Sequence, residues 1–75
     1  GSQGGLVNID VQVNRIPETS LSETWASVSN IVTYDKNNKR IIVGIDPNIS
    51  FQKRTVILSL KNKNLTAEVV IAQCK

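Results

Sequence analysis

Asn48-Ile49-Ser50-Phe51-Gln52-Lys53-Arg54-Thr55-Val56-Ile57-Leu58-Ser59-Leu60, answered by Val69-Val70-Ile71-Ala72-Gln73, is the stretch whose reading decides the fold. From Thr55 onward the apolar residues recur at every second position. Val56, Leu58 and Leu60 take one face, and Thr55, Ile57 and Ser59 take the other. A period of two is that of a strand, because successive side chains of an extended chain point to opposite sides. Leu65 to Gln73 alternates in the same way, with Ala67, Val69, Ile71 and Gln73 on one face. Lys61-Asn62-Lys63-Asn64 between the two runs has turn composition. The two segments therefore read as the closing hairpin of a small β-sandwich.

Working outward, Val7, Ile9, Val11 and Val13 alternate with Asn8, Asp10, Gln12 and Asn14, the signature of a half-buried strand. Ile16-Pro17 stops it, since proline has no N–H for a ladder and restricts the residue before it. Glu18 to Glu23 is expected to be a polar connection with room for a single helical turn. Thr24 to Ser29 is expected to form a short strand, with extended structure resuming at Ile31-Val32-Thr33-Tyr34 after Asn30. Asp35-Lys36-Asn37-Asn38 is a turn signal. Arg40 to Ile45 carries apolar residues on both faces, as a central strand does, and Asp46-Pro47-Asn48 ends it. Five or six short strands at this spacing predict an antiparallel sandwich.

Composition narrows the function. The chain has 75 residues, 40% of them hydrophobic, drawn mainly from Val, Ile and Leu, with no Met and three aromatic residues. A chain of this length is one domain with a small core, and its expected net stability is roughly 4–8 kcal/mol. Gly1-Ser2 reads as the remnant of a cleaved expression tag, leaving 3–75 as the domain, with a missing signal peptide therefore uninformative about the precursor. No apolar run approaches the length needed to cross a bilayer, so no membrane insertion by this domain is expected. Histidine is absent and Cys74 is the single cysteine, which leaves no internal disulfide, no metal and no Cys–His or His-based catalysis. Six carboxylates remain, but a chain this small does not build the cleft across which a glycosidase pair must face. The expectation is a protein that is not an enzyme and carries no cofactor.

The net charge of +3 is unevenly distributed. Residues 1–35 hold Arg15 against four carboxylates, whereas residues 36–63 hold seven Lys and Arg against Asp46 alone. One end of the molecule is then basic, either as a docking patch for an anionic partner or as lysines that keep strand margins soluble. No basic run exceeds two residues and no aromatic residues interleave with them, so no nucleic-acid partner is expected.

Gly4-Gly5 before the alternating strand, Trp25 with Val28, Asn48-x-Ser50-x-x-x-Arg54 leading into Thr55-Val56-Ile57, and the terminal Val69-Val70-Ile71-Ala72-Gln73 occur in an order that resembles a BACON domain. BACON denotes the Bacteroidetes-associated carbohydrate-binding often N-terminal module, and the matching features span most of the chain. Two departures stand out: the family usually begins with a further strand before the Gly pair, and its loop after the tryptophan is often richer in Gly and Pro. The domain is accordingly one that lacks its first strand, or one whose boundary lies earlier.

The resemblance implies an immunoglobulin-like antiparallel β-sandwich of about six to seven short strands. It also implies a non-catalytic accessory module at the surface of a Gram-negative bacterium or exported from it, often attached to glycoside hydrolases or proteases, with a carbohydrate ligand such as mucin or polysaccharide glycan. Neighbouring domains of a larger precursor are its implied partners. A structural spacer or protein-interaction domain with no ligand site is the competing reading. Sugar platforms stack glycans on exposed rings, and the candidates are Tyr34, beside the turn, and Phe51, in the loop before Arg54. Arg54 offers a planar fork for hydroxyls or carboxylates, although an arginine at a strand start also ties down loop carbonyls. Trp25 is expected in the core, with Asn48 and Gln73 in structural roles. Asn48-Ile49-Ser50 and Asn64-Leu65-Thr66 match the N-glycosylation pattern, which in a bacterial protein is chance.

Overall fold

The computed structural model describes residues 3–50, 52–63 and 65–74, apart from the side chain of Leu65. Six strands follow in chain order: β1 (Gly5–Gln12), β2 (Glu18–Leu21), β3 (Ala26–Asp35), β4 (Asn38–Ile45), β5 (Arg54–Asn62) and β6 (Leu65–Gln73). They form two antiparallel three-stranded sheets, ordered β1-β4-β3 and β2-β5-β6. Among the described residues there is no helix. The chain crosses between sheets after β1, β2 and β4, and makes hairpins after β3 and β5. That path is the B-E-D and C-F-G arrangement of an immunoglobulin constant-type sandwich. The place beside β1 that strand A holds in that fold is unfilled among the described residues.

The alternations read from the sequence place the core. Ile41, Val43 and Ile45 of β4 face Val56, Leu58 and Leu60 of β5, and all six are buried. Each of these strands is the middle one of its sheet, so both of its flanks are covered. Val7, Ile9 and Val11 from β1 and Ala67 and Val69 from β6 pack on this core but stay half-buried, because they lie on edge strands.

Four expectations are corrected. Glu18–Leu21 is a strand, β2, with no helical turn: it pairs with β5 from Glu18 opposite Lys61 to Leu21 opposite Leu58. Trp25 lies in the turn before β3, and the strand begins at Ala26. The two extended pieces separated at Asn30 are one strand, whose register shifts between Val28 and Asn30 and between Thr33 and Asp35. The turn composition at Lys61 and Asn62 is absorbed into β5. The β-bulges carry β3 through a sequence whose alternation breaks, one extra residue at a time.

Gly4 and Gly5 have φ of 83° and 131°, a region that side chains rarely enter. A Cβ at Gly4 would lie 2.5 Å from the Ile45 carbonyl oxygen, so the chain can enter β1 along this path only without a side chain there.

Candidate functional site

The sandwich measures 40 × 20 × 14 Å, and the candidate residues divide between its two poles. At one pole the ends of β4, β5 and β6 meet the turn before β3. Arg54, the first residue of β5, lies opposite Gln73 of β6. Its Nε donates to Gln73 Oε1 at 2.8 Å, and its Nη2 donates to the carbonyls of Asp46 at 3.0 Å and Pro47 at 3.2 Å. The guanidinium also stacks on the Trp25 ring, 4.0 Å from its centroid. Gln73 Nε2 donates to the same Asp46 carbonyl at 2.8 Å, and Asp46 N donates to Trp25 O at 2.9 Å. Arg54, a sequence candidate for ligand contact, is thus engaged by the protein's own loop. Gln73 and the half-buried Trp25, which lies in a turn and not in a core strand, stand beside it, and Asn48 is in the connection that follows β4.

Asn48 is buried within the same connection. Its Nδ2 donates to Gln52 O at 2.6 Å and Cys74 O at 3.1 Å, while its Oδ1 accepts from Ser50 N and Ser50 Oγ. The described residues of the 46–53 connection lie in no strand, and these side chains supply partners that its backbone lacks. No buried side-chain nitrogen or oxygen among the described residues is left without a partner. The amide nitrogen of Asn48 is committed twice, so in the folded protein it is not presented for glycosylation. Phe51 and Asn64 lie outside the described residues.

The opposite pole carries Tyr34. Tyr34 lies at the register shift between Thr33 and Asp35, one position past Thr33, which pairs with the inward Lys39, and it is 56% exposed. The Arg40 guanidinium sits 5.3 Å from its ring centroid, within cation–π range. Arg40 is held from the other side by Asp10, with Nε to Oδ1 at 2.8 Å and Nη2 to Oδ2 at 3.2 Å. The Arg40 hydrogen bond holds the Asp10 carboxyl below the ordinary aspartate value, and Asp10 in turn raises Arg40. Asp10, Val11, Gln12, Tyr34, Asn38 and Lys39 line one shallow cleft here.

Asp35 closes the neighbouring turn. Its Oδ1 accepts from Asn37 N at 2.8 Å and from Asn38 Nδ2 at 2.9 Å, which lowers its carboxyl below the ordinary range, the Asn38 side chain contributing most. Lys39 is buried, with its Nζ donating to Val13 O at 2.9 Å and Lys36 O at 3.3 Å. It caps the crossing from β1 to β2. The inward side of Lys39 was available to sequence reading, because it precedes Ile41, Val43 and Ile45 at the strand period, but its charge argued for solvent.

The structure therefore separates Tyr34 from Arg54 by the length of β4, roughly 25 Å at the usual strand rise. It brings Tyr34 together with Asp10 and Arg40, which sequence reading did not select. The only signal for that pair was opposite charge on two strands of unknown register. Among the described residues no group of His, Cys, Asp and Glu is placed to hold a metal ion, and no helix is long and apolar enough to cross a membrane. No family model, curated protein or solved structure matches the chain.

Proposed function

We propose that this chain is a non-catalytic accessory module of the BACON type, carried by an exported or surface-anchored bacterial protein, and that it binds carbohydrate at the Tyr34 pole. The observation that carries the reading is the outward Tyr34 ring, fixed in orientation by Arg40 and Asp10. A sugar stacks its apolar face on such a ring, while neighbouring amides and charged groups bond its hydroxyls. Gln12 and Asn38 in the adjoining cleft supply those amides. Ring preorganisation matters because a single ring is a weak platform, and ordering it on binding would cost part of what stacking gains.

Binding calorimetry and a glycan array spanning mucin O-glycans and plant polysaccharides test this. Millimolar or tighter binding is expected, lost in Tyr34→Ala with the fold unchanged. The competing role is a spacer between neighbouring domains of a larger precursor. The scarcity of exposed rings and the elongated shape favour it. Absence of binding to every glycan decides for the spacer, and binding indifferent to Tyr34→Ala removes the Tyr34 ring as the platform.

A further inference from the structure

A second cleft at the Tyr34 pole is lined by Arg15 and Ile16 from the β1–β2 crossing, Glu18 at the start of β2, Lys61 and Asn62 at the end of β5, and Lys63 in the turn that follows. The side chains of Arg15, Lys61 and Lys63 make no hydrogen bond or ion pair with any described residue. Glu18 lies opposite Lys61 in the β2–β5 register, yet the two form no ion pair among the described residues. The other cations of the basic half are spent differently: Arg40 on Asp10, Arg54 on Trp25 and the 46–53 connection, and Lys39 on two carbonyls. Folding thus commits Lys39, Arg40 and Arg54 of the basic half to the fold and brings Lys61 and Lys63 together with Arg15 on one concavity, where Glu18 is the single carboxylate of the lining. Like charges gathered in a cleft raise the local concentration of an anion there.

We infer that this cleft receives a single anionic substituent, a sulfate or a carboxylate, borne on a glycan. The inference rests on the carbohydrate reading and names the class of glycan that this pole selects. Three cations over one turn and a strand end match one or two anionic groups, whereas a nucleic acid is gripped through many phosphates and through stacked rings. Ile16, 60% exposed at the cleft, offers an apolar contact to a sugar ring beside the anion. Glu18 opposes the anion, so its charge is a lever of opposite sign within the same site.

The test is calorimetric titration at low salt with four probes: a heparin tetrasaccharide, the same tetrasaccharide desulfated, a sialylated milk trisaccharide and oligo(dT). The sulfated or sialylated probe is expected to bind, and the choice between those two identifies the anion. Arg15→Gln, Lys61→Gln and Lys63→Gln should each weaken it roughly twofold to fivefold, and Glu18→Gln should tighten it by a similar factor. Binding should fall steeply as salt rises. Lys53→Gln, at the opposite pole, should change nothing.

Tighter binding of oligo(dT), insensitivity to Glu18→Gln, or no binding at all overturns the inference, whereas equal affinity for the desulfated probe, which keeps its uronate carboxylates, assigns the anion as a carboxylate. Neutral-glycan binding that depends on Tyr34 but ignores all four cleft variants would leave the carbohydrate reading standing and remove this one. Anion binding at the cleft that ignores Tyr34→Ala would uphold the cleft as the site and remove the Tyr34 ring as the platform.

Discussion

Replacing Arg54 tests whether this residue serves the fold or a ligand. Arg54→Ala removes one hydrogen bond to the buried Gln73, two to the carbonyls of Asp46 and Pro47, and the stacking on Trp25. The Gln73 bond is partly buried and is worth about 1 kcal/mol net, and the two carbonyl bonds, open to water, about 0.5 kcal/mol together. The cation–π contact adds about 1 kcal/mol at this half-exposed position. The expected loss is about 2–3 kcal/mol, a large share of the stability of a chain this small. Arg54→Lys keeps a charge over Trp25 and one carbonyl bond, and should lose roughly half as much.

Urea unfolding followed by the fluorescence of Trp25, the single tryptophan, is the assay, since the ring reports on the contact being removed. With a denaturant slope near 1 kcal/mol/M for a domain of this size, the Arg54→Ala midpoint should fall by about 2 M. A midpoint within about 0.5 M of the parent would refute the structural assignment. If the same variant also lost glycan binding, Arg54 would return as a ligand residue.

Gly4→Ala should cost about 1–3 kcal/mol, because the new Cβ meets the Ile45 carbonyl and the backbone sits at φ 83°, and urea denaturation reads the loss. Lys39→Ala should cost about 2–3 kcal/mol by freeing the Val13 and Lys36 carbonyls and emptying the space of its stem, while Lys39→Met, which refills that space, should cost less. Asp10 and Asp35 titrate below their ordinary value when folded, so the unfolded chain binds protons more readily; the stability they give is present above the ordinary aspartate range and lost as pH falls through the lowered folded values. Urea midpoints should therefore drop as pH falls below about 5, less steeply in Asp10→Asn, and a flat acid limb in the parent would contradict this.

The sequence disclosed the core because Val56, Leu58 and Leu60 recur at every second position of β5, while β4, apolar on both faces, reads as a central strand whose buried set, Ile41, Val43 and Ile45, is selected by the fold. A strand covered on one face by its partner sheet must alternate, and that requirement is written in each residue. β2 was illegible for the opposite reason. Its four residues Glu18-Thr19-Ser20-Leu21 bury only half of two side chains, and their strand state comes from β5, which lies about forty positions away. Tyr34 was picked as exposed from its place beside a turn, but the register shift at that position and the Arg40–Asp10 pair beside its ring are facts of register. Register emerges only when β1, β3 and β4 are laid side by side.

The separation of roles between the poles follows from how the chain turns at each. At the Arg54 pole, residues 46–53 cross from one sheet to the other without forming a strand, so their backbone groups need side-chain partners, and Asn48, Arg54 and Gln73 provide them. At the Tyr34 pole, β3 turns into β4 and β5 into β6 through tight hairpins whose ladders satisfy their own backbone, with Asp35 closing one turn locally and Lys39 capping the single crossing. At that pole the side chains of Arg15, Lys61 and Lys63 serve no fold contact among the described residues and line one cleft, whereas Asp10, Asn38 and Lys39 line the other while serving the fold. Substitutions of Tyr34, Arg15, Lys61 and Lys63 should accordingly leave the unfolding midpoint within about 0.5 kcal/mol of the parent, as ordinary surface changes do. Substitutions of Asn48 and Arg54 should leave any glycan affinity intact until the fold itself gives way. A single variant at the Tyr34 pole that costs as much stability as Arg54→Ala would show that the two poles are not separate in this way.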